Sequence, residues 1–313
     1  MNFGTEIKKE IVEKLPKDDE RRKAFLSGLL RGNGNLYSQN GYLGLQFRVD
    51  GEEIAQYVAE SFVKLFSYEF REVSVSRDNR LKRDVVTMNL YGPDTEKYLA
   101  DLGILVFENG EPVVSLKPFG TVENDAEQRA FFRGLFTSSG SCSLPSGNSA
   151  SHTRYHLEMD FSHYVFALET SDRLNKAGVY NNITRRKGSY LVYIKSGEQI
   201  KNFVAYIGCP KAVLKLTEVL INREIVNDSN RRKNCDMGNI NRQINASEKQ
   251  ISAINRLKST GELETLKPSL KEIAVARLQN PDETLNELAD RLKITKSCLN
   301  HRLRKLVSLA EKK

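Results

Sequence analysis

The sequence predicts an α+β unit built from two copies of one pattern, followed by an all-α domain. Three observations predict it. An apolar helix with glycine in mid-face occurs twice, as AFLSGLLRGNG at 24–34 and AFFRGLFTSSG at 130–140. The segments after each copy also correspond: GLQFRVDGEEIAQYVAESFVKL (44–65) parallels HLEMDFSHYVFALETSDRLNKA (156–177), and DVVTMNLYGPDTEKYLADLGI (84–104) parallels SYLVYIKSGEQIKNFVAYIGC (189–209). The final third has helical periodicity throughout and carries the whole charge excess of the chain.

Taken in order, MNFGTEIKKEIVEKL reads as an amphipathic helix and has no signal-peptide core. Each repeat then reads helix–strand–strand–helix–strand–strand–helix with antiparallel sheet. Val85, Thr87, Asn89 and Tyr91 alternate with Val86, Met88 and Leu90, the period-2 mark of a half-buried strand. Gly28 and Gly134 let two helices approach closely, because no side chain holds their backbones apart. That places the two helices side by side on a pseudo-twofold axis, with their C-terminal turns together at the base of two sheets. A Pro- and Gly-containing stretch at 109–120 bridges the halves. The expected divisions are repeat 1 at 1–108, repeat 2 at 109–221, an Asn/Arg-rich helical connector at 222–245, and a helical domain at 246–313.

Of the 313 residues 39% are hydrophobic and 28% charged, with a mean hydropathy of −0.48, the profile of a soluble globular protein. No apolar run approaches the ~18 residues of a membrane span. Cys142, Cys209, Cys235 and Cys298 are scattered, without a CxxC or a histidine at zinc spacing, and are expected as reduced thiols packed like small hydrophobes. No metal or cofactor is expected, and the expected location is the cytoplasm, in association with the nucleoid. Residues 1–209 hold 27 Lys+Arg and 27 Asp+Glu, whereas 210–313 hold 21 cations against 13 acids, which accounts for the whole net charge of +8. Such asymmetry points to a polyanion partner at the C-terminal end, although a solvated basic surface looks the same in composition.

LSGLLRGNG (26–34) and FRGLFTSSG (132–140) resemble the paired motifs of the LAGLIDADG homing endonucleases. The resemblance implies a central helix pair flanked by two saddle-shaped antiparallel sheets that straddle DNA. It also implies an acidic residue at the eighth motif position of each helix, to hold divalent metals for phosphodiester hydrolysis. Here that position is Asn33 and Ser139, and the other acidic position is Arg31 and Thr137. Arg31 would repel a metal. Glu20, Asp125 and Glu127 fall at the opposite helix ends, too far away to substitute. Arg71, Arg77, Arg80, Lys82 and Arg83 form one basic cluster, and Arg185, Arg186 and Lys187 another, at equivalent hairpins where a saddle would meet a duplex. The neutrality of residues 1–209 favours a solvated hairpin surface there over a DNA contact.

The C-terminal domain carries the sharper pattern. LKEIAVARL (270–278) is an amphipathic helix after Pro268, ended by Asn280-Pro281. Thr284 is an N-cap with Glu287 completing a capping box, and LNELADRL (285–292) aligns Leu285, Leu288, Ala289 and Leu292 on one face. After the turn Lys293-Ile294, Thr295 caps a last helix, KSCLNHRLRKLVSLA (296–310), whose core positions are Leu299, Leu303, Leu306 and Val307 or Ala310. Two short helices joined by a tight turn, the second one basic, describe a helix-turn-helix. From 291 to 310 there are six cations (Arg291, Lys293, Lys296, Arg302, Arg304, Lys305) and no acid. Lys296, Ser297, Asn300, His301 and Arg304 are left for the exposed face. There Asn suits adenine, and Arg or Lys suits guanine, while Ser serves a base or a phosphate. Thr295, Arg302 and Lys305 complete the candidate set, the latter two better placed for phosphates. A three-helix packing domain with a basic face is the plainer alternative.

A degenerate LAGLIDADG-like duplicate, an Asn/Arg-rich connector and this helical domain together resemble the WhiA family. NCDMGNINRQINAS (234–247) and ITKSCLNHRLRKL (294–306) are the most specific segments. The resemblance covers essentially the whole chain, and it implies a bacterial transcription regulator of cell division, chromosome segregation and, in sporulating species, sporulation. Double-stranded DNA is the expected partner, with a second transcription regulator held by the N-terminal unit. A nucleoid-associated architectural protein and a residual metal-dependent nuclease are the competing classes. The operator, target genes, activator or repressor character and oligomeric state are not legible.

Overall fold

In the computed structural model, which describes residues 3–78, 83–145 and 154–311 apart from the side chains of Asp78 and Arg83, the chain falls into two units, Met1–Ile221 and Asn222–Lys313. The first unit begins with α1 (Phe3–Val12) and α2 (Asp19–Asn33). The strand pair β1 (Asn35–Gln39) and β2 (Tyr42–Asp50), α3 (Glu52–Phe66), the pair β3 (Glu72–Asp78) and β4 (Arg83–Tyr91), and α4 (Thr95–Asp101) follow. A short hairpin, β5 (Leu105–Glu108) and β6 (Glu111–Val114), then intervenes. The series returns as α5 (Asp125–Ser139), β7 (Gly140–Ser143), β8 (His156–Phe161), α6 (Tyr164–Lys176), β9 (Asn182–Arg186), β10 (Ser189–Ile194) and α7 (Gly197–Tyr206). The two four-stranded antiparallel sheets have the same order, β1-β2-β4-β3 and β7-β8-β10-β9. The fold is therefore the duplicated LAGLIDADG-like α+β architecture with a helical C-terminal region.

The alternation in β4 settles which face is packed. Val86, Met88 and Leu90 are buried, while Val85, Thr87, Asn89 and Tyr91 are half-buried on the other side. Phe47 pairs with Met88 across the ladder, and both sit under the helices. One apolar core runs through both repeats, with Phe25, Leu29, Phe131, Phe132, Leu135 and Phe203 fully enclosed. Burying side chains of this size stabilises by ~1.5–3 kcal/mol each.

Where the sequence predicts a plain bridge at 109–120, the structure places the second strand of the hairpin β5–β6. Its signal is local: Asn109 and Gly110 adopt φ of 52° and 87°, the left-handed pair that closes a two-residue hairpin. Another finding concerns α1, which packs on β7 of the second repeat. From there the buried Glu10 carboxylate accepts hydrogen bonds from the backbone N–H groups of Lys211 and Ala212, both at 2.9 Å. These are orphan donors at the start of α8 (Pro210–Ser259), so an acid from the N-terminal helix caps it.

The second unit holds the rest of α8, a 3-10 turn at Glu262–Thr265, α9 (Pro268–Gln279), α10 (Leu285–Arg291) and α11 (Lys296–Glu311). None of residues 222–245 is buried, and they lie within α8 without a break. This is also why one cysteine departs from expectation. Cys142 and Cys209 are buried, and burial pushes both thiols up to about 12, but Cys235 lies exposed on the uncovered stretch of α8. Cys298 is half-buried.

Candidate nucleic-acid interface

In the second unit, Ile254, Leu257, Leu270, Ile273, Ala274, Leu288, Leu299, Leu303 and Leu306 form a separate core. The capping box at the start of α10 is complete. The Thr284 hydroxyl accepts from Glu287 N at 3.3 Å, and Glu287 returns a carboxylate to Thr284 N at 2.8 Å. Such a cap contributes ~0.5–2 kcal/mol. Lys293 then takes φ 54°, letting Ile294 N reach Ala289 O at 3.0 Å and closing the helix sharply. Thr295 Oγ1 accepts from Cys298 N at 3.2 Å and starts α11. The turn is short, so α10 and α11 hold a fixed crossing.

The core side of α11 is Leu299, Leu303, Leu306 and Ala310, with Val307 half-buried. Thr295, Lys296, Ser297, His301, Arg304 and Lys305 are exposed, and Asn300 and Arg302 are half-buried at the margin. Among the described residues, the side chains of Lys296, Ser297, Asn300, His301, Arg302, Arg304 and Lys305 have no hydrogen-bond or ion-pair partner. The arrangement is a row of unengaged ammonium, guanidinium, amide and hydroxyl groups on a rigid helix.

Two residues alter the electrostatics expected for this region. Arg291 does not add to the row, because its guanidinium grips Glu283, with Nε 3.1 Å from each carboxylate oxygen. The hydrogen bond from Arg291 holds the Glu283 carboxyl below its ordinary range. Arg277 is 2% exposed, and its Nε donates to Gln250 at 3.0 Å while Nη1 donates to Glu283 O at 2.7 Å. It clamps the α9–α10 loop to α8. The signal was present in the sequence, since Arg277 occupies the core spacing of Leu270, Ile273 and Ala274.

In the first unit, α2 and α5 meet through their glycines. A Cβ on Gly28 would fall on the Phe131 carbonyl oxygen and within 2.9 Å of Leu135 N. On Gly134 it would fall on the Phe25 carbonyl oxygen and within 2.8 Å of Leu29 N. Arg31 and Asn33 fall in the last turn of α2 and Thr137 and Ser139 in the last turn of α5, and every one of the four is engaged internally. Arg31 donates to Ser115 O at 2.9 Å and to Gly103 O, with its guanidinium 5.5 Å from the Phe166 ring. Burial lowers this guanidinium to about 10. Asn33 Nδ2 donates to Arg48 O at 2.5 Å. The Thr137 and Ser139 hydroxyls donate back to their own helix, at Arg133 O (2.8 Å) and Leu135 O (3.0 Å). Beside them a cavity of about 190 Å³ contains one carboxylate, Asp50, whose Oδ2 lies 3.7 Å from the Lys8 ammonium. One carboxylate next to a cation does not fit a pair of hard divalent metals.

The basic hairpins are also placed. Arg71 and Arg77 are exposed, Arg77 across the ladder from Asp84. Arg80 and Lys82 lie outside the described residues, as does the side chain of Arg83. Arg185, Arg186 and Lys187 are exposed; Arg185 covers the Tyr190 ring at 5.8 Å, and Arg186 lies 3.7 Å from Glu158. Cations here are interleaved with acids.

Residues 19–105 match the WhiA N-terminal LAGLIDADG-like domain, residues 128–226 the WhiA LAGLIDADG-like domain, and residues 229–310 the WhiA C-terminal HTH domain. The chain is 32% identical to "Probable cell division protein WhiA" of Lactiplantibacillus plantarum, over 99% of this chain and 98% of that protein. It is 34% identical to the protein of the same description from Pediococcus pentosaceus, over 100% and 99%. The crystal structure of full-length DUF199/WhiA from Thermatoga maritima superimposes with a TM-score of 0.57 at 25% identity, over 100% of this chain and 99% of that one.

Proposed function

The chain belongs to the WhiA family, and on that premise we propose that it is a DNA-binding transcriptional regulator that reads duplex DNA through α11. One observation carries the reading: among the described residues, Lys296, Ser297, Asn300, His301, Arg302, Arg304 and Lys305 of α11 are exposed or half-buried and unengaged, whereas Arg31, Asn33, Thr137 and Ser139 are all spent inside the protein. Lys296, Ser297, Asn300, His301 and Arg304 contact base edges, Arg302 and Lys305 contact phosphates, and Thr295 at the start of the helix completes the DNA-binding set. The LAGLIDADG-like unit is a platform that does not cut DNA and engages a second regulator. Its relatives' description as cell division proteins supports a role in division; roles in chromosome segregation and in sporulation follow from the family resemblance. This work takes place in the cytoplasm at the nucleoid; among the described residues no helix is long and apolar enough to cross a membrane.

Genome-wide footprinting of the intact protein tests the reading. A small set of strong promoter sites is expected. Broad, weak coverage would replace the regulator with an architectural protein. Incubation with duplex DNA and magnesium or manganese should leave the DNA intact; metal-dependent cutting that disappears on changing Asn33 or Ser139 would refute the platform.

A further inference from the structure

The first repeat carries a cleft that neither the helix pair nor the helix-turn-helix uses. It measures about 810 Å³, within the range of small-molecule sites, and opens where the α3–β3 connection meets the end of β4 and the start of α4. Its walls are aromatic. Tyr68 Oη both donates to Tyr91 O (3.2 Å) and accepts from Tyr91 N (3.1 Å), which locks the wall to the end of β4. Tyr98 packs against Tyr68 at 5.8 Å, and Tyr42 meets the Tyr91 ring edge-on at 6.2 Å while remaining 45% exposed.

The charge lining this cleft is acidic. Among the described residues, Glu69, Glu72 and Asp94 face one cation, Arg71. Glu72 accepts from Asn89 Nδ2 at 3.0 Å, but among the described residues the carboxylates of Glu69 and Asp94 have no partner. After burial, the Asp94 charge helps to push the Tyr98 phenol up, and Glu72 does the same for Tyr37 behind Tyr91. Thr95 also lines the cleft; it is completely buried, and its hydroxyl has no hydrogen-bond partner. A buried hydroxyl without a partner is a cost that folded proteins rarely keep without use. In the duplicated segment of the second repeat the corresponding residue is Ile200, also completely buried, so an apolar side chain fills the equivalent position there.

We propose that this cleft binds a small organic cation bearing primary ammonium groups, its charge held by Glu69 and Asp94 and its chain laid against the faces of Tyr42, Tyr91 and Tyr98. Tyrosine faces attract desolvated cations, and carboxylates without a counter-ion add to that attraction. The same acids repel phosphate, which argues against a nucleotide or a nucleic acid at this place. The inference is independent of the DNA reading, because the cleft lies wholly within Met1–Ile221.

Isothermal titration of the full chain with spermidine, in the absence of DNA, tests it. One spermidine per chain is expected to bind. The E69Q/D94N double variant and Tyr42→Ala should each weaken that binding about tenfold or more, with melting temperatures unchanged. No binding of spermidine, or equal binding by the E69Q/D94N variant, would overturn the assignment. A neutral sugar or a lysine-rich peptide that binds where spermidine does not would overturn it too, and would name the other ligand class.

Discussion

The C-terminal end of the helix pair and the exposed face of α11 both gather polar side chains at one place, and they do opposite things with them. At the ends of α2 and α5, Arg31, Asn33, Thr137 and Ser139 donate to carbonyl oxygens of the protein itself. On α11, Lys296, Ser297, Asn300, His301, Arg302, Arg304 and Lys305 have no partner among the described residues. Hydrogen-bonding groups already satisfied inside a fold gain little from a ligand, whereas exposed, ordered donors on a helix are available to one. The comparison teaches that residue type alone does not mark a site; what matters is whether the group's bonds are already made.

The largest expected effect comes from breaking the helix pair. Gly28→Leu places a side chain into the Phe131 carbonyl and should destabilise Met1–Ile221 by ~3 kcal/mol or more. Differential scanning calorimetry should show that transition lowered, with the one from the helical C-terminal unit retained. Equal loss of both transitions would mean that the regions are not separate. Next in size is Arg277→Met, which leaves Gln250 and the Glu283 carbonyl without their donor. A loss of ~1.5–3 kcal/mol is expected, read from denaturant unfolding of the C-terminal unit.

The smallest effect is on pH dependence. Glu283 is held below the ordinary carboxylate range by Arg291, so its contribution to stability is present above the unfolded value near ~4.3 and lost as pH falls through its lower folded value. Glu283→Gln should therefore lower the melting temperature slightly at pH 7 and not at all at the acidic end. A difference that persists unchanged to low pH would show that the ion pair contributes nothing.

Much of this was legible in the sequence, for local physical reasons. Gly28 and Gly134 sit at one place in matching apolar helices, and Thr284 with Glu287 spells a capping box, so the pairing and the cap follow from spacing alone. The non-acidic residues Arg31, Asn33, Thr137 and Ser139 at the motif's acidic places are equally plain in the sequence. Other features depend on partners distant in sequence. Nothing near Arg291 announces that Glu283 cancels its charge, and nothing near Arg31 announces Ser115 and Gly103. The aromatic cleft gathers residues from positions 40 to 98 that share no motif. Asn109-Gly110, by contrast, is a local hairpin signal within the stretch expected as a bridge.

Whether DNA is read by α11 or by the sheets is decided by a quantitative gel shift on the intact chain, comparing Asn300→Ala and Arg304→Ala with Arg185→Ala and Arg186→Ala. The α11 variants should each lose ~1–3 kcal/mol of specific binding, and the sheet variants should stay within about 0.5 kcal/mol of the parent. Unchanged affinity in the α11 variants with a loss in the sheet variants would contradict the assignment and return the duplex to the saddle.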